Sequence, residues 1–335
     1  MINYDVHVHT CFSSDSEETI ENQLDRAVEL GLKGICITDH MDLDFPEIER
    51  AGVDFLFDTD RYFETIEELK NRYRGKLDIL IGMEAGLRNE KDEIEPCVKG
   101  YRQLAEKYPF DFIIGSTHCL EYCDPYYEAY WTNRNAKEGL RLYFEAIRDN
   151  VNNYGNFDSL GHLDYLVRYV NSVSVERYLN SEEGRYIEEK AHNSQKHINF
   201  DTGELFTPDK LTEEAVSSYR SDCSALSAEV FKRFGYRVAD YSDLLDEILR
   251  KLIADGKALE INSAGLKYGI GFAHPKKEIL LRYKSLGGEL ITIGSDAHKS
   301  EHLAYGFDSV AAFLKETGFD YYFIYRERKP EAVRL

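Results

Sequence analysis

The sequence predicts an α/β protein whose strands and helices form a closed or nearly closed (β/α) barrel. Short, nearly continuous apolar runs alternate with amphipathic stretches along most of the 335 residues, which is typical of a parallel sheet covered by helices. Seven such units follow one another, a regularity that two unrelated domains would not show. Because (β/α) barrels commonly form one domain of about 250 residues or more, we expect a single barrel domain over residues 1–335.

Seven apolar runs are the predicted strands. In chain order they read YDVHVH (4–9), GICITDH (34–40), DILIGME (78–84), DFIIGSTH (111–118), FDSLGH (157–162), KALEIN (257–262) and ELITIGSDAH (289–298). The helical patterns between them include SEETIENQLDRAVELGL (16–32), TDRYFETIEELKNRYRG (59–75) and YSDLLDEILRKLIADGK (241–257). Ser16 is the predicted N-cap of the first helix, because its hydroxyl can accept a backbone N–H and Glu17 follows in the first turn.

The alternation stops over residues 171–240, between the fifth and sixth predicted strands. This segment is polar and mainly helical in pattern, and includes TEEAVSSYRSDCSALSAEVFKRFGY (212–236). We interpret it as a mainly helical insertion packed on or beside the barrel. It could be extra scaffold or a subunit contact. Alternatively, it could be a lid that shapes the active site, because insertions in the active-site loops of barrels often have this role.

The composition excludes several classes of partner. The formal net charge is −20, with 61 acidic against 41 basic residues, which argues against a nucleic-acid backbone as partner because phosphate chains require clustered Lys and Arg. No run approaches the roughly 18 apolar residues that a membrane helix needs, and the N-terminus does not read as a signal peptide. We therefore expect a cytoplasmic protein with neither a nucleic-acid nor a membrane partner; the oligomeric state stays open.

Six of the seven runs finish with residues that can bind a metal. In a strand, residues two apart share one face, so His7 and His9 can converge on one point, as can Asp296 and His298. The carboxyl ends of all strands in a parallel barrel open on one face, which predicts a common site for His7, His9, Asp15, His40, Glu84, His118, His162, Asp296 and His298. Nine ligands are too many for one tetrahedral zinc and suit two or three ions with a bridging carboxylate. For Asp15 a helix cap is the alternative.

These motifs carry a family resemblance. HVHTCFSSDS, TDH, GME, GSTH, GHLDYLVRY and GSDAH resemble the motifs of the polymerase and histidinol phosphatase (PHP) family of metallo-phosphoesterases. Within that family, the resemblance is to the L-histidinol-phosphate phosphatases and rests on DPYYEAYW (124–131), FDSLGHLDYLVRYV (157–170), ALEINSAGLKYG (258–269), GGELITIGSDAH (287–298) and RKP (328–330). It covers roughly residues 1–170 and 240–330, whereas 171–240 has no recognised counterpart.

The resemblance implies a distorted seven-stranded barrel with a trinuclear metal centre. The first metal would be held by His7, His9, Glu84 and Asp296, and Glu84 would bridge to a second held by His118 and His162. The third would be held by Asp15, His40 and His298. The centre would hold two or three divalent transition metals, with Zn, Fe or Mn suited to such ligands. A metal-bridging hydroxide is then expected to attack phosphorus in line, without a phospho-enzyme, hydrolysing L-histidinol phosphate in histidine biosynthesis.

Two phosphate-binding residues follow from the same resemblance. Arg168 resembles the family's phosphate-binding arginine, whose fork suits two phosphate oxygens, with a surface salt bridge as the alternative. Lys267 stands where a second arginine is expected and would contact phosphate as a point charge. Asp164 is a candidate acid for the leaving alcohol, or else a structural carboxylate. Asp42 or Asp44, on the loop after TDH, could bind the cationic part of the substrate, with a solvated loop charge as the alternative.

Two other functions compete with this interpretation. Lys267 and the 171–240 insertion leave open a PHP-family phosphatase for another small phosphate ester or a nucleotide. A non-catalytic metal-binding protein is the alternative from a different class, because a barrel alone does not specify a function.

Overall fold

A computed structural model describes residues 2–46, 55–131, 134–169, 197–199, 204–206, 236–268 and 270–335. The strands among them are β1 (Tyr4–Val8), β2 (Gly34–Ile37), β3 (His40–Met41), β4 (Asp78–Gly86), β5 (Phe112–Ser116), β6 (Ser159–Leu160), β7 (His197–Asn199), β8 (Glu204–Phe206), β9 (Ala258–Asn262), β10 (Ile291–Gly294), β11 (Tyr321–Arg326) and β12 (Lys329–Arg334). The helices are α1 (Ile20–Glu29), α2 (Thr59–Arg72), α3 (Ile94–Lys107), α4 (Glu128–Trp131), α5 (Ala136–Asn153), α6 (Ser242–Ala254), α7 (Ala264–Lys267), α8 (Lys277–Ser285) and α9 (Phe307–Glu316). Every predicted strand is present.

Seven parallel strands form a nearly closed barrel. They are hydrogen-bonded in the order β1-β2-β4-β5-β6-β9-β10, with the short β3 paired to β4. The two ends of this sheet meet where Asp296 N donates to His7 O at 2.9 Å and His9 N donates to Ala297 O at 3.0 Å. The structure confirms the predicted (β/α) barrel.

The strands are buried on both faces because helices cover their outer side. All residues of β2, β5, β9 and β10 are buried, as expected for parallel strands that read as continuous apolar runs. On α1 the buried residues are Ile20, Gln23, Leu24 and Ala27, which recur at the three- and four-residue spacing of one helix face.

The first helix begins later than predicted. Its N-cap is Thr19, whose side chain accepts from Asn22 N at 3.2 Å, and not Ser16. Ser16 Oγ instead donates to His298 O at 2.9 Å and accepts from Glu18 N at 3.2 Å. The prediction for Ser16 was wrong because a contact from the far end of the chain holds that hydroxyl.

A hairpin that was not predicted packs against the amino ends of the barrel strands. It consists of β11 and β12, paired antiparallel. The Tyr322 hydroxyl accepts from the backbone N–H groups of Asn3 and Tyr4 at 2.9 and 3.2 Å. Arg326 and Arg328 form ion pairs with Asp78 and Asp158, which lie at the starts of β4 and β6. The hairpin thus ties the beginnings of several strands together, opposite the predicted metal site.

The chain divides into two compact units. The first comprises residues 1–124, 144–165 and 242–335, and the second comprises 125–143 and 166–241. Within the predicted insertion, β7 and β8 form a short antiparallel pair, and a 3-10 turn spans Val238–Tyr241. The helical pattern predicted over 212–236 lies outside the described residues except for its last position. The single domain over 1–335 and the 171–240 insertion remain predictions.

Two further features concern the described part of the chain. No helix there is long and apolar enough to cross a bilayer. Its cysteines Cys11, Cys36, Cys97 and Cys119 are free thiols.

Candidate metal centre

The nine predicted ligands lie together at the carboxyl ends of the barrel strands. His7 belongs to β1 and His9 follows it, while His40 belongs to β3 and Glu84 to β4. The others stand on the loops that follow β1, β5, β6 and β10, namely Asp15, His118, His162, Asp296 and His298. His7, His9 and Glu84 are 0% exposed. Residues separated by almost the whole chain therefore form one cluster.

Glu84 lies at the centre of this cluster. Its Oε1 is 3.2 Å from His118 Nε2 and 2.8 Å from His162 Nε2, and it accepts from Ser116 Oγ at 2.6 Å. Its Oε2 faces another group of imidazole nitrogens, at 3.3 Å from His7 Nε2, 3.4 Å from His9 Nε2 and 3.1 Å from His40 Nδ1. Each oxygen of one carboxylate therefore faces a different set of donors, as a bridging ligand requires.

Two further carboxylates border the cluster. Asp296 Oδ1 is 3.3 Å from His9 Nε2 and 3.9 Å from His7 Nε2. Asp15 Oδ2 lies 3.2 Å from His298 Nε2 and 3.5 Å from His40 Nε2. Asp15 thus faces the imidazoles with which the family resemblance groups it.

Several buried polar residues outside the nine hold the imidazoles in place. His118 Nδ1 is 2.7 Å from Asp42 Oδ2, so Asp42 contacts a predicted ligand, and its suggested role toward a substrate cation has no support from this geometry. Ser13 Oγ donates to Asp39 at 2.8 Å and lies 3.1 Å from His9 Nδ1.

Glu260 on β9 is another such residue, with Oε1 2.5 Å from His7 Nδ1. Glu260 was not among the predicted site residues, because it lies within a strand and not at its carboxyl end. The signal was available, since Glu260 stands between Leu259 and Ile261 in an otherwise apolar run.

Charges within the cluster perturb its acidic and basic groups in opposite directions. Burial lowers the pKa of His7, but the carboxylates of Glu260 and Glu84 outweigh burial and hold that pKa well above its usual value. Burial raises the pKa of Glu84, but the imidazoles of His7 and His118 outweigh this effect and hold it well below the usual range. Glu84 is therefore ionised at neutral pH and its oxygens can act as ligands.

Two imidazoles of the same cluster differ sharply in basicity. Burial, aided by the imidazoles of His298 and His40, lowers the pKa of His9 to about 3. Burial also lowers the pKa of His40, but the carboxylates of Asp15 and Glu84 outweigh it and raise the pKa to about 9. His9 is thus a neutral donor at pH 7, whereas His40 holds a proton that a metal would displace.

The cluster fits divalent transition metals. Four groups of three donors have ligand atoms within 4.8 Å of one another: His7, His9 and Glu84; His40, Glu84 and His118; His9, His40 and His298; and His7, His162 and Asp296. Glu84 Oε2 forms no hydrogen bond with any described residue, although three imidazole nitrogens lie within 3.4 Å. Imidazole and carboxylate donors are the ligands that such ions prefer.

The predicted substrate residues occupy different places. Asp164 is buried, with Oδ1 2.7 Å from His274 Nδ1 and Oδ2 accepting from Lys276 N at 3.0 Å. Lys267 ends α7, with Nζ 4.9 Å from the Tyr268 ring centre. Arg168 belongs to the second unit, where its guanidinium carbon lies 4.7 Å from the Tyr169 ring centre.

Comparison with known proteins decides the family. The model of the PHP domain matches residues 5–193, more than half of the chain. The chain belongs to the PHP domain family. Within this family, the histidinol-phosphatase of Lactococcus lactis is 30% identical over 322 residues, covering 94% of this chain and 91% of that relative.

Two solved structures share the fold. A crystal structure of histidinol phosphate phosphatase from Lactococcus lactis, complexed with zinc, L-histidinol and phosphate, matches with a TM-score of 0.71 at 26% identity over 98% of both chains. A structure from Listeria monocytogenes matches with a TM-score of 0.61 at 17% identity, covering 91% of this chain and 99% of that one.

Proposed function

We propose that this protein is a metal-dependent phosphomonoesterase that hydrolyses L-histidinol phosphate to L-histidinol and phosphate. The observation that carries the proposal is the cluster around Glu84, in which nine candidate ligands from the carboxyl ends of the barrel converge. The solved Lactococcus lactis relative, complexed with zinc, L-histidinol and phosphate, supports both the metal and the substrate.

The nine residues would hold two or three divalent ions. His7, His9, Glu84 and Asp296 would bind one, and Glu84 would extend its other oxygen to a second between His118 and His162. The remaining ion would lie between Asp15, His40 and His298. Zinc is favoured over Fe or Mn by the zinc in the relative's structure. Such ions, when bound, lower the pKa of a water toward about 7 and neutralise charge on phosphoryl oxygens.

The protein's own groups then orient the centre and bind the ester. Glu84, ionised at neutral pH, keeps the imidazole groups at fixed separations. We propose that Arg168 and Lys267 bind the phosphate oxygens, the arginine through its two-pronged guanidinium and the lysine as a point charge.

Asp164 is the proposed source of the proton for the leaving alcohol. Because both its oxygens are bonded to His274 Nδ1 and Lys276 N, it could deliver a proton only if one of these bonds opens. Asp164→Asn would then lower kcat for esters with a basic leaving alcohol and spare esters of an acidic phenol, which leave without a proton. An equal loss on both ester types would point to a structural carboxylate.

The experiment that tests the proposal is phosphate release from a panel of esters. Protein of measured metal content would be assayed on L-histidinol phosphate, other small phosphomonoesters and nucleotides, beside a chelator-treated sample. We expect strong preference for L-histidinol phosphate and loss of turnover on chelation. If another ester is preferred, the metal-dependent chemistry stands and the substrate has to be reassigned. Lys267 in place of arginine and the 171–240 insertion are the features that would allow a different substrate.

The non-catalytic alternative predicts a different pattern. A storage or regulatory protein would bind metal tightly, release no phosphate from any ester, and be insensitive to Arg168→Ala. On our proposal that variant raises KM strongly, and Arg168→Lys restores only part of the loss because an ammonium cannot contact two oxygens in the same plane.

A further inference from the structure

Strand β9 is the barrel strand whose end carries no candidate ligand, yet a buried carboxylate on it contacts the ligand cluster. Glu260 lies in the middle of β9 and is 1% exposed. In the barrel, β9 stands between β6 and β10, which lead to His162 and to Asp296. A charged group is rarely buried in a parallel strand unless it is paired, so its partners indicate its purpose.

Both oxygens of Glu260 are used, and each contacts a different predicted ligand. Oε1 is 2.5 Å from His7 Nδ1, and Oε2 accepts from the backbone N–H of His162 at 2.7 Å. The Asn262 amide donates to Oε2 at 3.3 Å and to Asp296 Oδ2 at 3.4 Å. One carboxylate thereby links ligands from three strands.

Tight packing fixes this carboxylate. A Cβ added at Gly294 on β10 would lie 2.8 Å from Glu260 Oε1 and 2.2 Å from His7 Cβ. The Cβ of His7 and the carboxylate of Glu260 therefore lie where a side chain at position 294 would clash with both.

We propose that Glu260 is a positioning residue that fixes the tautomer of His7 for metal binding. A carboxylate accepts hydrogen bonds, so His7 must keep a proton on Nδ1, and Nε2, which faces Glu84 and His9, is the ring nitrogen left to bind a metal. The inference rests on the proposed function, because it requires that the cluster bind metal.

Glu260→Gln makes the tautomer testable. The backbone N–H of His162 needs an acceptor, which places the amide oxygen at the Oε2 position and the NH₂ group opposite His7 Nδ1. His7 Nδ1 must then accept a hydrogen bond from the amide, so the ring proton lies on Nε2 and blocks metal coordination by that nitrogen. Glu260→Ala imposes no tautomer, although it leaves a cavity and an unpaired N–H.

The measurement is zinc affinity of chelator-stripped protein, by competition with a chromophoric chelator, together with the Co²⁺ absorption spectrum. We expect Glu260→Gln to weaken zinc binding by about 10- to 100-fold, to change the Co²⁺ spectrum, and to be more damaging than Glu260→Ala. Glu289→Gln is the matched control, because Glu289 is exposed and its carboxylate forms a surface ion pair with Lys284, at 3.1 Å, away from the predicted ligands.

Unfolding of the metal-free variants separates tautomer control from a structural role. If Glu260 were merely structural, Glu260→Ala would be both less stable and weaker in zinc binding than Glu260→Gln, and that order would overturn the inference. A zinc affinity of Glu260→Gln equal to that of Glu289→Gln would overturn it as well. If wild-type protein binds zinc yet hydrolyses no ester, the proposed function fails while the affinity comparison still decides the role of Glu260. If wild-type protein binds no zinc, both fail.

Discussion

Gly294→Ala is expected to disrupt the metal centre by forcing apart the two strands that close the barrel. Gly294 is the last residue of β10, directly before the loop of Asp296 and His298. The added methyl carbon would lie 2.2 Å from His7 Cβ and 3.2 Å from His7 Cα. Neither atom can move by rotation of a side chain, so the backbone of β1 or β10 must shift.

The size of the effect follows from these distances. Non-bonded carbons pack at about 3.5–4.0 Å, so the overlap with His7 Cβ requires a displacement of roughly 1.5 Å. Overpacking of this kind costs about 1–3 kcal/mol of folding free energy. The effect on metal binding should be larger, because ligand distances must be met within about 0.2 Å and the shift separates His7 and His9 from Asp296 and His298.

The assay compares unfolding free energy and zinc stoichiometry for Gly294→Ala and a matched glycine variant. Gly155→Ala is the control, because no heavy atom of a described residue, chain neighbours aside, lies within 4 Å of its added Cβ and its backbone is not in the left-handed region. We expect the control to stay within about 0.5 kcal/mol of wild type and to bind zinc normally. A Gly294→Ala protein with wild-type stability and full zinc would refute the packing argument.

Three other predictions concern the centre and its first helix. Glu84→Gln, which removes the charge shared by both sets of donors, should lower zinc stoichiometry and abolish turnover; retention of both in elemental analysis and phosphate release would contradict a bridging role. Because the pKa of His40 is raised to about 9 by Asp15 and Glu84, which outweigh burial, this imidazole stabilises the metal-free fold below about pH 6.5 and the stabilisation is lost as pH rises through 9. Zinc binding at pH 7.5 should accordingly release protons, seen by calorimetry in buffers of different ionisation enthalpy, and a buffer-independent enthalpy would exclude it. Thr19→Ala should cost about 1 kcal/mol of stability with zinc affinity unchanged, and a neutral result in urea unfolding would argue against Thr19 as the cap.

The clustering of the nine candidate ligands could be predicted from the sequence because a general rule of barrels governs it. Side chains at the carboxyl ends of parallel strands meet on one face, so His7, Glu84, His118 and Asp296 could be grouped without knowledge of their distances. The seven strands were equally readable, since buried parallel strands appear as continuous apolar runs.

What the sequence left undetermined depends on contacts between distant residues. Ser16 was predicted to cap the first helix, but its hydroxyl donates to His298 O instead. Asp42 looked like a loop carboxylate free for substrate, but His118 lies 2.7 Å away. The strand β12 is almost entirely exposed, so it lacks the apolar pattern by which strands are recognised, and its pairing with β11 emerges only in three dimensions.

The closure of the barrel has a consequence for biosynthesis. His7 O and Asp296 N, joined at 2.9 Å, are separated by nearly 290 positions, which a ribosome working at about 5–20 residues per second needs roughly 15–60 s to cover. During that interval the imidazoles of the first strand have emerged without Asp296, which would complete the proposed metal site. A ribosome-bound chain halted before residue 296 is therefore expected to hold zinc far more weakly than the released protein, so that correct loading with metal follows synthesis and does not accompany it.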